Sequence, residues 1–326
     1  MVGEHSYRHA RRTVALWQRK KKRQQIGPLK TKLVTKQTRL RYNVAVNKFV
    51  DFCKDMRIEV PSDFEELDTL VVDCLEHMWE MGASQTDASN VVAGLQFFRP
   101  RLKRNLPAAW RIMKAWSKAE PPSRATPLTP LIVKALVMLW ASREEWRLAA
   151  ATLLGFHGLL RTGEIANLLC CDVAFDNEFG SAVVRLRETK SGKRLGVSES
   201  VTVTDRLVTR FLRNATKKMG PTDRLLPCNA NQYRGAFARA MGIMGMSQLG
   251  FRPYSLRRGG ATHLFVKTNN MSAVMVRGRW ASSNTARVYV QEAVGELAEI
   301  QLTPGQRRTF EMAAERLIVV SRSLAV

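Results

Sequence analysis

A mainly α-helical protein with one small antiparallel sheet, divided into two folded domains behind a basic arm, is the fold this sequence predicts. Three observations predict it. From Thr38 onward, apolar residues recur at helical spacing in stretch after stretch. The strand-like runs AVVRLRE (182–188) and RLGVSESVTV (194–203) flank a short turn, TKSGK (189–193), and so read as a hairpin. Four prolines within AEPPSRATPLTP (119–130) break the helical pattern between two regions, and 326 residues are more than one small domain needs.

Taken in order, residues 1–36 form a basic arm. Residues 1–41 hold thirteen Lys and Arg against the single acid Glu4, with the densest run QRKKKRQQ at 18–25. Such a segment cannot bury a core, and is expected to be disordered or to become helical on a phosphate backbone. Residues 37–119 read as a four-helix domain. Tyr42, Ala45, Val46, Phe49, Val50 and Cys53 share one helix face, and Leu67, Leu70, Val71, Cys74, Leu75 and Met78 repeat the pattern. Ser84 with Asp87 opens a third helix through Val91, Val92 and Leu95. Pro107 starts a fourth, with Trp110, Met113 and Trp116 facing inward. Residues 120–130 are a semi-extended linker. The second domain, 131–302, has helices at about 130–143 and 146–160, a third from about 163, the hairpin, and further helices from Asp205 onward. Thr303-Pro304 then opens a last helix, 303–326, with Phe310, Ala313, Ala314, Leu317 and Ile318 on one face.

Charge bounds the partners. Fifty-two Lys and Arg against 28 Asp and Glu give a net charge of +24, and half of it lies beyond residue 41. A polyanion is the partner such a surplus fits. Five cysteines without a CxxC pair argue for a reduced, intracellular protein with neither a disulfide framework nor a zinc site. No apolar run reaches the ~20 residues of a membrane span, and Trp17 is nearly alone as an anchor in the arm, so a membrane partner is not expected. The N-terminal residues lack a secretory apolar core. No glycine-rich phosphate loop is present, so no nucleotide cofactor is expected.

Four polar stretches stand out against this helical background. In LLRTGEIANLL (159–169), Arg161 and Glu164 lie three apart at a helix start. The hairpin turn carries Lys190 and Lys193. In FRPYSLRRGGATHLF (251–265), Tyr254, Arg257 and Arg258 sit at a helix start behind a Pro turn, where cations can cradle a phosphate, and Gly259 and Gly260 allow close backbone approach. In VRGRWASSNTARVYVQ (276–291), Trp280 precedes Tyr289, one of only five tyrosines, by nine residues. His157 and His263 lie on apolar helices and read as packing residues.

The order Arg161, hairpin Lys190, Tyr254-x-x-Arg257, Trp280 and Tyr289 resembles that of the tyrosine recombinases, the integrase family of site-specific DNA recombinases. The resemblance runs from about Thr38 to Glu292, because that family also carries a helical core-binding domain before the catalytic one. It implies a SAM-like DNA-binding domain at 37–119 and a mixed α/β catalytic domain at 131–302. Two positions depart from the family pattern: Tyr254 replaces a histidine, and Arg258 stands where a second histidine is usual. Tyr254 and the RGRW phrase are similar to recombinases of some eukaryotic mobile elements. The resemblance implies double-stranded DNA as partner, a 3′-phosphotyrosyl intermediate on Tyr289, and no metal or ATP. Arg161 and Arg257 would clasp the phosphate, Lys190 (with Lys193 as rival) would protonate the leaving oxygen, and Trp280 and Tyr254 would donate hydrogen bonds. Glu164 and Arg258 would support. It further implies a homotetramer on two DNA sites and a C-terminal helix docked on a neighbouring protomer. The basic run at 18–25 also fits a nuclear import signal, so residence in the nucleus is expected if the cell is eukaryotic, and in the cytoplasm or nucleoid otherwise. No small-molecule substrate is implied. A catalytically silent DNA-binding relative is the alternative.

Overall fold

Helix caps and apolar stripes account for the first of two units, which together describe the chain. The computed structural model describes residues 16–176, 178, 180–187, 189, 192 and 198–324. The chain splits into two compact units between Ser123 and Arg124. Lys190 and Lys193 lie outside the described residues.

In the first unit, α1 (Lys36–Asp55), α2 (Phe64–Glu80), α3 (Gln85–Phe98) and α4 (Pro107–Ala119) enclose one core built from Phe49, Leu70, Val71, Leu75, Val91, Val92, Leu95 and Met113. Each start has a physical cause. Thr35, Asp63 and Ser84 accept backbone N–H groups at the first three, as N-caps do. α4 opens on Pro107 without a cap of its own. The buried Asp68 of α2 fills that role, accepting the amides of Ala108 at 2.7 Å and Ala109 at 2.9 Å. Met113 and Trp116 point inward, whereas Trp110 is exposed. That corrects the expected inward stripe: α4 meets α2 and α3 along a face that Met113 and Trp116 fill without it.

The second unit is organised around α5 (Pro130–Ala141) and α6 (Trp146–His157). Both are apolar on nearly every side and therefore lie inside, with eight of twelve residues buried in α5 and nine of twelve in α6. A short α7 (Thr162–Asn167) leads to a three-stranded antiparallel sheet in the order β1 (Val173–Phe175), β2 (Ala182–Leu186), β3 (Glu199–Val203). β1 is a strand the sequence pattern does not announce. Leu186 pairs with Glu199 at the end of the β2–β3 ladder next to the connection between the strands. The buried Asp172 accepts from Leu169 N at 3.1 Å and from Arg187 Nε at 2.6 Å, fixing the entry to the sheet.

Then follow α8 (Arg206–Thr216), α9 (Ala230–Ile243), α10 (Pro253–Thr268), α11 (Met271–Gly278), α12 (Ser283–Arg287), α13 (Glu292–Ile300) and α14 (Pro304–Ser323). α10 approaches its neighbours at backbone distance. A Cβ on Gly259 would stand 1.8 Å from the Leu128 carbonyl oxygen, and one on Gly260 1.9 Å from that of Phe156. The close approach foreseen at this glycine pair is therefore to the protein's own backbone. Leu128 also donates its N–H to Ser255 O at 3.2 Å, so the end of the proline-rich stretch is docked in this unit rather than free. α14 packs against α5 and α8, with Phe310 and Leu317 in the common core. The apolar face expected to seek a neighbouring protomer is thus covered within the chain, while Ile318 and Val319 stay exposed.

Candidate active site

Four segments of the second unit converge on one guanidinium group. The first is the turn after α6. Leu159 adopts a left-handed backbone (φ 49°), which costs a branched residue energy and persists only where surroundings hold it. Its carbonyl accepts Arg257 Nη1 at 2.5 Å. Two residues on, Arg161 starts α7, where Glu164 accepts its backbone N–H at 2.8 Å and its Nη1 at 2.6 Å. The second segment is the start of α10, which carries Tyr254, Arg257 and Arg258. The third is the α11–α12 connection, where Gly278 O accepts Arg257 Nη2 at 2.6 Å and Trp280 follows. The fourth is the stretch beyond α12 that carries Tyr289.

Arg257 is wholly buried, an unusual place for a cation. Burial holds its pKa down at about 10, helped by the positive charges of Arg161 and Arg279. Its guanidinium carbon lies 4.6 Å from the Trp280 ring centroid and 5.5 Å from that of Tyr289. Those two rings are 4.4 Å apart. The Tyr254 hydroxyl donates a hydrogen bond to the Tyr289 hydroxyl, their rings 5.8 Å apart. Arg161, Glu164, Tyr254, Arg257, Trp280 and Tyr289 are therefore brought together.

Arg258 takes a different post. It is buried, and its Nη2 donates to Val288 O at 3.1 Å and Gln291 Oε1 at 2.6 Å, bracketing the Tyr289 segment. Thr262, one turn further along α10, donates to Tyr289 O at 3.2 Å and accepts Gln291 N at 3.1 Å. Tyr289 stands two residues past the end of α12.

Arg279 is the residue that sequence reasoning missed. It too is left-handed (φ 57°), and its side chain donates to Glu164 Oε2 at 2.7 Å while its Nε lies 3.4 Å from Glu199 of β3. Glu164, buried, is thus a carboxylate shared by Arg161 and Arg279, with Arg257 Nη1 at 4.0 Å. No sequence signal marks this partnership, since an arginine before a tryptophan says nothing of backbone handedness. Thr262 was equally silent.

Chemically, the cluster is rich in donors. Among the described residues, buried Arg257 Nε, Arg258 Nε and Trp280 Nε1 have no hydrogen-bond partner, and Arg279 Nε has only the Glu199 carboxylate at 3.4 Å. Buried unpaired donors are costly, and several close together suit an anion. His157 and His263 are elsewhere: His157 Nδ1 lies 3.7 Å from Asp205, and His263 packs on the Phe156 ring. Among the described residues no group of His, Cys, Asp and Glu could hold a metal ion, and no helix is long and apolar enough to cross a membrane.

With this geometry in view, comparison with known proteins is informative. The model of the phage integrase family matches residues 129–296, just over half of the chain. No curated protein matches the sequence significantly. Among solved structures, the chain is similar to the Tn1549 transposon integrase in complex with transposon right-end DNA, at 15% identity and a TM-score of 0.57, covering 82% of this chain and 94% of that one. A lambda integrase dimer bound to a COC′ core site gives 16% and 0.56, covering 81% and 92%. The XerH site-specific recombinase bound to its difH substrate gives 16% and 0.53, covering 80% and 77%. At these identities the likeness is one of fold.

Proposed function

This chain belongs to the phage integrase family of tyrosine recombinases, and from that premise we propose that it cuts and rejoins double-stranded DNA at specific sites through a covalent bond to Tyr289. One observation carries the proposal: Arg161, Tyr254, Arg257, Trp280 and Tyr289, scattered over residues 161–289, meet in one cluster of the second unit. The Tn1549 integrase, lambda integrase and XerH structures are each of a protein bound to DNA, which supports DNA as the partner.

The transfer balances without an outside energy source. The Tyr289 oxygen, as phenolate, bonds to phosphorus as the bond from phosphorus to the 5′-oxygen breaks. That oxygen takes a proton from a lysine ammonium, which we assign to Lys190 rather than Lys193. Phosphoester is exchanged for phosphoester, so the reverse reaction with a 5′-hydroxyl reseals the strand. Arg161, partly exposed and held by Glu164, offers its fork to the non-bridging oxygens as charge grows there. Arg257 supplies positive charge from directly behind the two rings. Exchange between two duplexes requires four such tyrosines, and we assign the active assembly as a homotetramer on two sites.

A second reading has its own observation. Arg257 is fully buried and both its terminal nitrogens are engaged by carbonyls, under the rings of Trp280 and Tyr289. A chain frozen in that state would bind DNA without cutting it. One experiment separates the two. The protein is incubated with a pool of nicked duplexes carrying randomised cores, and DNA linked covalently to protein is captured after denaturation and sequenced. Recombination chemistry predicts adducts from the wild-type protein and none from Tyr289→Phe, with DNA affinity of the variant within a few fold. Normal binding with no wild-type adduct would establish the silent reading.

A further inference from the structure

The contact between Tyr254 and Tyr289 is not explained by the transfer chemistry above. At neutral pH a phenol is a poor base, so Tyr254 cannot serve by taking the Tyr289 proton. Its hydroxyl is instead the donor, and the Tyr289 oxygen the acceptor. Tyr254 sits on the first turn of α10, whose start is fixed by Pro253 and by Arg252 N donating to Ser255 Oγ at 3.1 Å. Tyr289 sits on a short connection braced by Arg258 and Thr262. The donor is thus on a rigid element and the acceptor is held to it from behind.

We propose that Tyr254 is a catalytic hydrogen-bond donor to the Tyr289 oxygen, binding it most strongly when that oxygen is negative, both before attack and on departure. The inference rests on Tyr289 being the nucleophile. In the forward step, the Tyr289 proton goes to water, Tyr254 keeps its own, and the phenolate attacks. In the return step, the 5′-hydroxyl gives its proton to the neutral lysine, the bond from phosphorus to Tyr289 breaks, and the phenolate leaves into the hydrogen bond from Tyr254. No proton passes between the two tyrosines.

Electrostatics sort the two phenols. Two hydroxyls in contact lose their protons in two well-separated steps, because the first phenolate is held by the second phenol. The groups facing Tyr289 are Tyr254, Arg257 and Arg258 on α10, Arg161 ahead of α7, and the Trp280 indole. Burial pushes the Tyr289 phenol up, but the bond from Tyr254 and the charges of Arg257 and Arg161 override it, leaving its pKa below the usual phenol value. Burial and the same hydrogen bond push Tyr254 well above it. The negative charge therefore settles on Tyr289 and the proton on Tyr254.

The sign of the pH dependence follows. Lowering the Tyr289 pKa enlarges its phenolate fraction at neutral pH, so removing the donor must cost most at low pH and least at high pH. The test uses the full chain, wild type and Tyr254→Phe, with a nicked duplex recovered from the randomised pool, under single-turnover conditions from pH 6 to pH 10. A hydrogen bond to a charged group is worth enough to shift the profile by about one pH unit. Tyr254→Phe is expected to form adduct roughly tenfold more slowly at pH 7, with the gap closing as pH rises. Ultraviolet titration of phenolate in the free protein gives an independent readout. The lowest-titrating tyrosine should vanish in Tyr289→Phe and move upward in Tyr254→Phe. A rate loss that is the same factor at every pH, or a lowest titration unchanged in Tyr254→Phe, overturns the proposal. Absence of wild-type adduct at every pH would instead defeat the reading of Tyr289 as nucleophile, and the titration would still decide whether the pair exists.

Discussion

Replacing Gly260 by alanine adds a single methyl group at the point where α10 crosses α6. That carbon would stand 1.9 Å from the Phe156 carbonyl oxygen and 2.6 Å from Leu159 Cδ2. The first contact is about 1.5 Å inside ordinary van der Waals distance, and the obstacle is backbone within a buried helix, which no rotamer change can move. Overpacking typically costs 1–3 kcal/mol, and a backbone obstacle places this case at about 3 kcal/mol or above. Alanine regains about 1 kcal/mol of helix propensity, leaving a net loss of about 2–3 kcal/mol. For a unit of this size each kcal/mol lowers Tm by about 2–4 °C, so a fall of roughly 5–10 °C is expected in circular-dichroism melting. Gly163 supplies the control, since a Cβ there meets nothing within 4 Å, and Gly163→Ala should be neutral or slightly stabilising. Leu159 also carries the carbonyl that holds Arg257, so adduct formation by Gly260→Ala should fall further than its stability alone accounts for. Equal melting temperatures for Gly260→Ala and Gly163→Ala would refute the reasoning, because the two helices would then be separable at no cost.

Arg279→Gly removes a left-handed strain but leaves buried Glu164 without its 2.7 Å partner; losing one side of a buried pair outweighs the strain relief, so a net loss of ~1–2 kcal/mol in the denaturant midpoint is expected, with slower adduct formation. Deleting residues 1–35 should weaken non-specific DNA binding and flatten its salt dependence, each lost phosphate contact lowering the log–log slope by ~0.9, as measured by fluorescence titration across salt. Truncation after Leu302 uncovers the core face that Phe310 and Leu317 occupy; each buried side chain carries about 2–5 kcal/mol, so the second unit should lose cooperative melting and not merely its ability to pair DNA sites.

What could be read from the sequence divides along a physical line. The stripes through Phe49 and Cys53, Leu70 and Cys74, or Val91 and Leu95 were legible because a helix that buries one face must repeat apolar residues every three or four positions. β1 was not, because three residues cannot establish an alternation, and Trp110 was misplaced because periodicity states which face is apolar, not how far the neighbouring helices reach. The members of the site were legible as an order of residue types, yet the contacts that govern them were not. Arg258 reads as a second phosphate ligand from its place beside Arg257, but successive residues on a helix point about 100° apart. One therefore enters the cluster of Trp280 and Tyr289 while the other turns to Val288 and Gln291. Arg279 escaped for a backbone reason. Residue 279 is left-handed, as Leu159 is, and from there its side chain donates to Glu164 Oε2 at 2.7 Å and to the Leu159 carbonyl at 3.4 Å. Both strained residues serve the same end: one presents a carbonyl and the other a guanidinium to the same few cubic ångströms. Strain there is tolerated because the buried Arg257 and Glu164 would otherwise lose polar partners where water cannot replace them. The rings of Trp280 and Tyr289 lie over that same buried cation, so the nucleophile candidate is placed by the group that these strained residues hold.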